Sequence, residues 1–177
     1  MNIARGMSHA LCVAGLLSWS TGAVLADTPQ VQRGKYLVSL GGCTHCHTPG
    51  HFFGRDDETR FLAGSDVGFS LPDGTTVVGR NLTPDPQTGL GRWSVEQIVT
   101  AVRAGVRPDG RVLSGVMPWA NYSNLSKADA IAIAVYLKSL PPIRRAIPGP
   151  FGPGQKMTVY HMQFIPMPPE GGRSAQP

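Results

Sequence analysis

The feature that most constrains this chain is the pentapeptide Cys43-Thr44-His45-Cys46-His47. Two thiols separated by two residues can each reach one of two neighbouring vinyl groups on a porphyrin. A histidine directly after the second thiol then lies under the ring, where its imidazole can bind iron. This spacing is typical of covalent attachment of a c-type haem. We therefore expect Cys43 and Cys46 to hold one haem c through thioethers, and His47 to be an axial ligand of the haem iron.

Three other uses of a paired cysteine fit the sequence less well. A zinc site takes four ligands, but the chain has no second cysteine pair, and His51 and His161 match no common zinc spacing. A thioredoxin-like redox pair requires a βαβ pattern, which is missing. A structural disulfide between Cys43 and Cys46 stays open, but it would leave His47 without a role.

The second axial ligand determines whether such a haem carries electrons or binds small molecules. Met117 is the best candidate, because it lies in a polar, glycine-rich loop between two expected helices and is followed by the stiff residue Pro118. A thioether ligand raises the reduction potential, and a filled iron favours electron transfer over haem catalysis. A methionine is ordinarily core filling, and the remaining candidates stay open: Met157, Met162, Met167, His45, His51 and His161.

The first 26 residues have the pattern of a secretory signal peptide. Arg5 gives a positive start, residues 10–17 form a short apolar run, and Ala26 supplies a small residue at a cleavage point. The run is too short to cross a bilayer as a helix, although an uncleaved anchor or a disordered start stays open. Cleavage would remove Cys12 and leave a periplasmic protein with two cysteines and no integral membrane segment.

The charged residues limit the choice of partner. The formal net charge is +5, and the basic residues are scattered singly along the chain. A mildly basic surface suits docking to an acidic redox protein, whereas nucleic-acid binding would require a basic run or patch that the sequence lacks. Hydrophobic residues make up 41% of the chain and aromatic residues 7%, which is enough for one small core to which a haem could contribute.

Three segments are expected to be helical. The first covers residues 29–40, with Thr28 as its cap. The second begins at the capping box of Ser94 and Gln97, has one apolar face and ends at Gly105. The third starts at Ser126 and continues through an apolar stretch to about residue 140.

The other segments are rich in glycine and proline. Residues 48–92 have no helical period and are expected to form loops, with one small hairpin around Leu71-Pro72-Asp73-Gly74. Residues 141–177 are not expected to form a core; they could be disordered, or wrap the domain or a partner in extended form. The expected organisation is a signal peptide (1–26), one domain (27–142) and a tail (143–177).

Residues 31–142 resemble the class I cytochrome c family. The likeness lies in the helix before Cys43, in the Met117-Pro118 loop and in the closing helix that ends in Leu140-Pro141-Pro142. It implies an all-α fold of few helices around one covalently bound haem, with long loops and a first and last helix that cross. Gly34 and Tyr136 are the expected close-contact pair of that crossing.

A narrower resemblance comes from Gly79-Arg80-Asn81-Leu82-Thr83-Pro84-Asp85 and Thr88-Gly89-Leu90-Gly91-Arg92-Trp93-Ser94. These runs are similar to the haem modules of cytochrome c subunits of bacterial alcohol, aldehyde and molybdenum-hydroxylase dehydrogenases. Those subunits commonly carry three modules, whereas this sequence has one haem motif, so membrane association and quinone reduction do not carry over. Charged and polar side chains in and after these runs could bind the haem propionates; the candidates are Arg80, Asn81, Trp93 and Arg103.

Together the motifs predict an electron carrier rather than an enzyme. The predicted protein is a periplasmic monohaem cytochrome that passes single electrons from a dehydrogenase to a downstream cytochrome or oxidase. Two alternatives stay open. One is a haem enzyme or sensor in which Met117 can be displaced, and the other is an assembly or anchoring subunit that binds through its proline-rich tail.

Overall fold

The computed structural model describes residues 28–163 of the chain. Its helices are α1 (Pro29–Leu40), α2 (Cys43–His47), α3 (Val95–Ala104), α4 (Trp119–Tyr122) and α5 (Lys127–Ser139), and its strands are β1 (Val67–Ser70), β2 (Thr76–Val78) and β3 (Tyr160–Gln163). Single 3₁₀ turns at His51–Phe53 and Glu58–Arg60 follow α2. The expected signal peptide, Cys12 and Met167 lie outside the described residues. No helix within residues 28–163 is long and apolar enough to cross a membrane.

The helix ends follow from capping side chains. The Thr28 hydroxyl accepts a hydrogen bond from the backbone of Val31 at the start of α1. Ser94 and Gln97 form the expected capping box of α3, with reciprocal bonds of 3.2 and 2.9 Å. Gly105 ends α3 in a left-handed conformation with φ 67°. The Ser126 hydroxyl likewise accepts from the backbone N–H of the third residue of α5, so all three predicted helices are confirmed.

Helices α1 and α5 cross at a glycine. A Cβ atom on Gly34 would lie 2.0 Å from the carbonyl oxygen of Ala132 and 2.6 Å from Cβ of Tyr136. The close approach of the two backbones therefore requires glycine at position 34, and the predicted contact pair is confirmed. Around this crossing α1, α3 and α5 bury one apolar core, whose members include Val31, Leu37, Val38, Ile98, Ile133, Tyr136 and Leu137.

A small sheet lies at the other side of the fold. Strands β1 and β2 form the predicted antiparallel hairpin, with Gly68 opposite Val78 and Ser70 opposite Thr76. Strand β3 adds to β1 in parallel, and the strand order is β2-β1-β3. The expectation of an all-α fold therefore accounts for the helices but did not include this third strand, which comes from the segment expected to be a tail.

Residues 143–151, here called the strap, run in extended form over the loops of the domain. At one end, the amide of Asn81 donates to the carbonyl of Ile143, at 2.7 Å. At the other end, Thr76 and Phe151 exchange two backbone hydrogen bonds of 2.8 and 2.9 Å, and Phe151 is buried. Of the alternatives for residues 143–163, the structure shows a segment that wraps its own domain.

Candidate functional site

Helix α2 presents the two cysteines of the haem-attachment motif. Gly42 precedes it with φ 66°, a left-handed conformation that glycine adopts at little cost, and this turns the chain from α1 into α2. Cys43 and Cys46 lie three residues apart in one helical turn, so they share a face. Both are free thiols, and the disulfide alternative is not formed.

Burial keeps both sulfurs protonated. It raises the pKa of Cys43 to about 11 and also raises the pKa of Cys46. Within residues 28–163, no three histidine, cysteine or acidic side chains come together as metal ligands.

The ring of His47 is held by a backbone carbonyl. Its Nδ1 lies 2.6 Å from the carbonyl oxygen of Arg80. Because a carbonyl can only accept, Nδ1 carries the proton, and the lone pair of Nε2 is available to a metal. Burial lowers the pKa of His47, and the bond to Arg80 partly opposes that shift. The imidazole is therefore neutral and fixed in one tautomer, as an iron ligand requires.

Gly79 brings that carbonyl into place. A Cβ atom at position 79 would lie 1.6 Å from the carbonyl oxygen of Cys46 and 3.4 Å from Nδ1 of His47. The backbone before Arg80 thus passes directly against α2. Sequence reasoning placed Gly79 in a family-like run but gave it no role. The residues around a single glycine do not indicate that its backbone will contact a helix more than 30 residues earlier in the chain, here at Cys46.

The Met117 loop is anchored next to α2. Met117 itself is partly buried; its N–H donates to Ser114, and its carbonyl accepts from Trp119 at 2.7 Å. The Trp119 ring packs on Gly105 at the end of α3. A few residues later, the hydroxyl of Tyr122 donates a 2.6 Å hydrogen bond to the carbonyl of Gly41, just before α2.

The electrostatics of Tyr122 place it near the cysteines. Burial raises its pKa to about 12, with smaller contributions from Cys43 and Cys46. The structure therefore brings the segment that carries Met117 and the segment that carries the haem motif together, although they are far apart in sequence. The role of Tyr122 was missed by sequence reasoning, because a single tyrosine in a loop has no distinguishing pattern.

Several other candidates for the second axial ligand have partners of their own. The sulfur of Met157 accepts a hydrogen bond from the hydroxyl of Thr76 at 3.4 Å. His51 pairs with Asp56 at 2.8 Å, and its ring stacks on that of His45 with a centroid distance of 4.3 Å. His161 and Met162 lie in β3, paired with β1.

The expected propionate donors have different partners in the structure. The guanidinium of Arg80 donates to the carbonyls of Ile147 and Gly149, and the amide of Asn81 donates to Ile143, so both bind the strap. Arg103 donates to Ser123 at 3.3 Å, and its Nε is a buried donor without a partner among the described residues. Trp93 packs against the core.

A group of guanidiniums lies beside the site. Burial lowers the pKa of Arg80, and the charges of Arg107 and Arg111 lower it further. Arg107 also stacks over the Trp93 ring, 5.6 Å from its centroid. Arg107 and Arg111 both form ion pairs with Asp109, at 3.4 and 2.8 Å. With two thiols on one face, a fixed imidazole and an adjacent methionine loop, the residues present fit a c-type haem.

Several known proteins are similar in sequence to this chain. The chain is 31% identical over 166 residues to the cytochrome c subunit of alcohol dehydrogenase (quinone) from Gluconacetobacter polyoxogenes, covering 88% of this chain and 34% of that protein. It is 36% identical over 112 residues to the fructose dehydrogenase cytochrome subunit of Gluconobacter japonicus, covering 63% of the chain and 21% of that protein. It is 32% identical over 170 residues to a subunit of nicotinate dehydrogenase from Pseudomonas putida, covering 92% and 13%. No protein-family model matches the chain.

These relatives confirm the family resemblance expected from the sequence: homologues of the chain are cytochrome c subunits of bacterial dehydrogenases. The chain spans about a third or less of the length of these three relatives, at 34%, 21% and 13%.

Proposed function

We propose that this chain is a periplasmic monohaem c-type cytochrome that transfers single electrons from a dehydrogenase towards a downstream cytochrome or oxidase. Cys43 and Cys46 carry the haem as thioethers, and His47 and Met117 are its axial ligands. The chain acts as a carrier or as the electron-transfer subunit of a dehydrogenase, and the dehydrogenase supplies the substrate chemistry.

One observation carries this proposal: the 2.6 Å contact between Nδ1 of His47 and the carbonyl of Arg80. It leaves Nε2 as the metal-binding atom, in the same helical turn as two protonated thiols. A core histidine can also donate to a backbone carbonyl, and it is the cysteine pair in the same turn that points to haem attachment. When bound, the haem supplies a one-electron couple at its iron, and the residues of the chain set its ligation, its orientation and its access to water.

Two observations support Met117 as the second ligand. Its loop is anchored, and several other candidate ligands already have hydrogen-bond partners. Tyr122 ties the following helix to Gly41, so the loop is held beside α2. The sulfur of Met157 already accepts a hydrogen bond, and His51 pairs with Asp56. A thioether on the second face would raise the reduction potential and close the iron to small ligands.

The partner is proposed from the relatives and from charge. The relatives named above are subunits of alcohol, fructose and nicotinate dehydrogenases, which favours a dehydrogenase as electron donor. The chain carries a formal net charge of +5, which would steer docking to an acidic surface. Electron transfer to the physiological partner should then slow as ionic strength rises, and a rate independent of salt would exclude electrostatic docking.

The first experiment measures haem content. The wild-type chain, expressed with a c-type haem maturation system, should carry one covalently bound haem per chain by mass spectrometry and pyridine haemochrome absorption. Cys46→Ala should lose one thioether and most of the bound haem. The matched control Cys12→Ala, which changes a cysteine of the expected signal peptide, should leave haem content unchanged. A wild-type chain that matures without covalent haem would refute the proposal.

The second experiment tests Met117. Met117→Ala should lose the methionine-type absorption of the ferric protein and bind carbon monoxide readily when reduced. Met157→Ala, a matched methionine control, should keep the wild-type spectrum. Unchanged low-spin spectra in Met117→Ala would remove that residue from the ligand role, and rapid carbon monoxide binding by the wild type would favour a haem enzyme or sensor.

A further inference from the structure

The strap contacts Arg80, whose backbone carbonyl binds the ring of His47. The carbonyl of Arg80 accepts from His47, and the guanidinium of the same residue donates to the strap carbonyls of Ile147 and Gly149. Two carbonyls engaged by one planar guanidinium fix its direction, since the donors of arginine have a rigid fork geometry. One residue thus connects the strap to the imidazole, through its side chain on one side and its backbone on the other.

The strap also contacts Gly64, which binds the backbone carbonyl of His47. The N–H of Gly64 donates to the carbonyl of His47 at 2.8 Å. The carbonyl of Gly64 in turn accepts from the guanidinium of Arg145, which belongs to the strap. The side chain of Ile147 lies against Gly64, where a Cβ atom would be 2.5 Å from its terminal methyl. The hydrogen bonds of this second route do not involve Arg80, and the two routes meet only at Ile147 of the strap.

Both routes run through guanidiniums that are partly shielded from water. Arg80 and Arg145 are partly buried, and burial lowers the pKa of each guanidinium. Charged donors form stronger hydrogen bonds than neutral ones, and losing these carbonyl partners would leave a partly buried charge unpaired. The strap is extended and has no helix of its own, so these side chains and the contacts at its ends hold it in place.

We propose that the strap holds His47 in its ligating orientation, with Arg80 and Arg145 as positioning residues that act through the carbonyl of Arg80 and through Gly64. This inference rests on the proposed role of His47 as an iron ligand. It assigns to the segment after the closing helix a function in tuning the haem. The hydrogen bond at Nδ1 of a ligating histidine raises the basicity of the ligand and so influences the reduction potential.

The test uses charge-conserving variants of the haem-loaded protein. Arg80→Lys and Arg145→Lys keep the positive charge but lose the rigid fork that reaches the carbonyls. Arg144→Lys is the matched control, because Arg144 lies on the same strap with an exposed side chain. Two quantities are measured in each protein: the midpoint potential, and the hydrogen-exchange rate of the Nδ1 proton of His47 in the reduced, diamagnetic state by NMR.

With a loosened strap, the Nδ1 proton should exchange about tenfold faster, the factor expected for loss of one hydrogen bond. The midpoint potential should rise, because a less basic imidazole stabilises ferric iron less. Arg144→Lys should match the wild type in both quantities. Since Arg80 and Arg145 act through separate contacts, either variant alone is sufficient if the other fails to fold.

Two outcomes would overturn the inference, and they are distinguishable. If the wild type shows histidine ligation, but both folded lysine variants keep its exchange rate and potential, the strap merely covers the domain and the proposed electron-transfer function stands. If the wild type itself lacks covalent haem or His47 ligation, the proposed function fails, and the strap inference fails with it.

Discussion

The hydroxyl of Tyr122 donates a 2.6 Å hydrogen bond to the carbonyl of Gly41. This contact joins α4, which follows Met117, to the end of α1, which precedes the cysteine motif. The two residues that it joins are 81 positions apart in the sequence. The two halves of the candidate site are thereby held together by a contact within the protein itself.

Tyr122→Phe should weaken this connection. Removing the hydroxyl deletes one partly buried hydrogen bond, which is worth about 1 kcal/mol in free energy of unfolding. It should also loosen the Met117 loop and increase carbon monoxide binding by the reduced protein. The measurements are denaturant unfolding and carbon monoxide titration. Tyr36→Phe, at a tyrosine that is 56% exposed on α1, is the control and should change neither quantity.

Gly34→Ala should destabilise the crossing of α1 and α5. Alanine is the better helix former by about 1 kcal/mol, but its Cβ would lie 2.0 Å from the backbone oxygen of Ala132, so the helices must separate. We expect a net loss of at least about 2 kcal/mol in free energy of unfolding, measured by urea denaturation. The control is Gly115→Ala, where a Cβ would meet nothing within 4 Å; equal effects at both positions would contradict the close crossing.

Gly79→Ala should disturb the site more than the fold. The added Cβ would collide with the carbonyl of Cys46, at 1.6 Å, and push the Arg80 carbonyl away from His47. We expect reduced haem incorporation per chain, measured by the ratio of Soret to protein absorption, together with a shifted midpoint potential in the haem-loaded fraction. Wild-type haem content and potential in this variant would show that the two backbones can separate without effect.

The pair of Arg33 and Asp129 predicts a pH dependence of stability. Nε of Arg33 lies 2.8 Å from the Asp129 carboxylate, joining α1 to α5, and this hydrogen bond lowers the pKa of Asp129. A group whose pKa is lowered by folding stabilises the protein above its unfolded pKa of about 3.9, and this contribution is lost as the pH falls through the folded pKa.

The measurement compares the wild type with Asp129→Asn in urea unfolding from neutral pH downwards. The difference in stability should be constant at neutral pH, shrink below about pH 4 and be small throughout, because exposed pairs are screened by water and salt. A difference that grows as the pH falls would contradict the assignment. High salt should reduce the difference at neutral pH.

Local signals in the sequence were sufficient for the three long helices and for the motif. Thr28, Ser94 and Ser126 are caps whose side chains bond backbone atoms three residues away, so their effect is visible within one turn. The turn at Leu71-Pro72-Asp73-Gly74 predicted the β1–β2 hairpin in the same way. Cys43, Cys46 and His47 could be interpreted because their chemistry requires a fixed spacing.

The rest of the fold depends on contacts between distant residues. The strap has the proline and glycine composition of a loose tail, and its order comes from side chains such as Arg80 and Asn81 that bond its carbonyls across more than 60 residues. No periodicity marks such bonds. Arg80 and Asn81 were candidates for binding the haem propionates, and in the structure their side chains donate to carbonyls of the strap. Helix α4, with four residues, is too short for a pattern.

The strap also bears on the order in which the protein can assemble. Its contact between Arg145 and Gly64 spans 81 residues, and the later part of a chain is synthesised after the earlier part. The contacts around His47 therefore cannot be complete until the chain has been synthesised through the strap, whereas α1 and α2 use only residues that are made earlier.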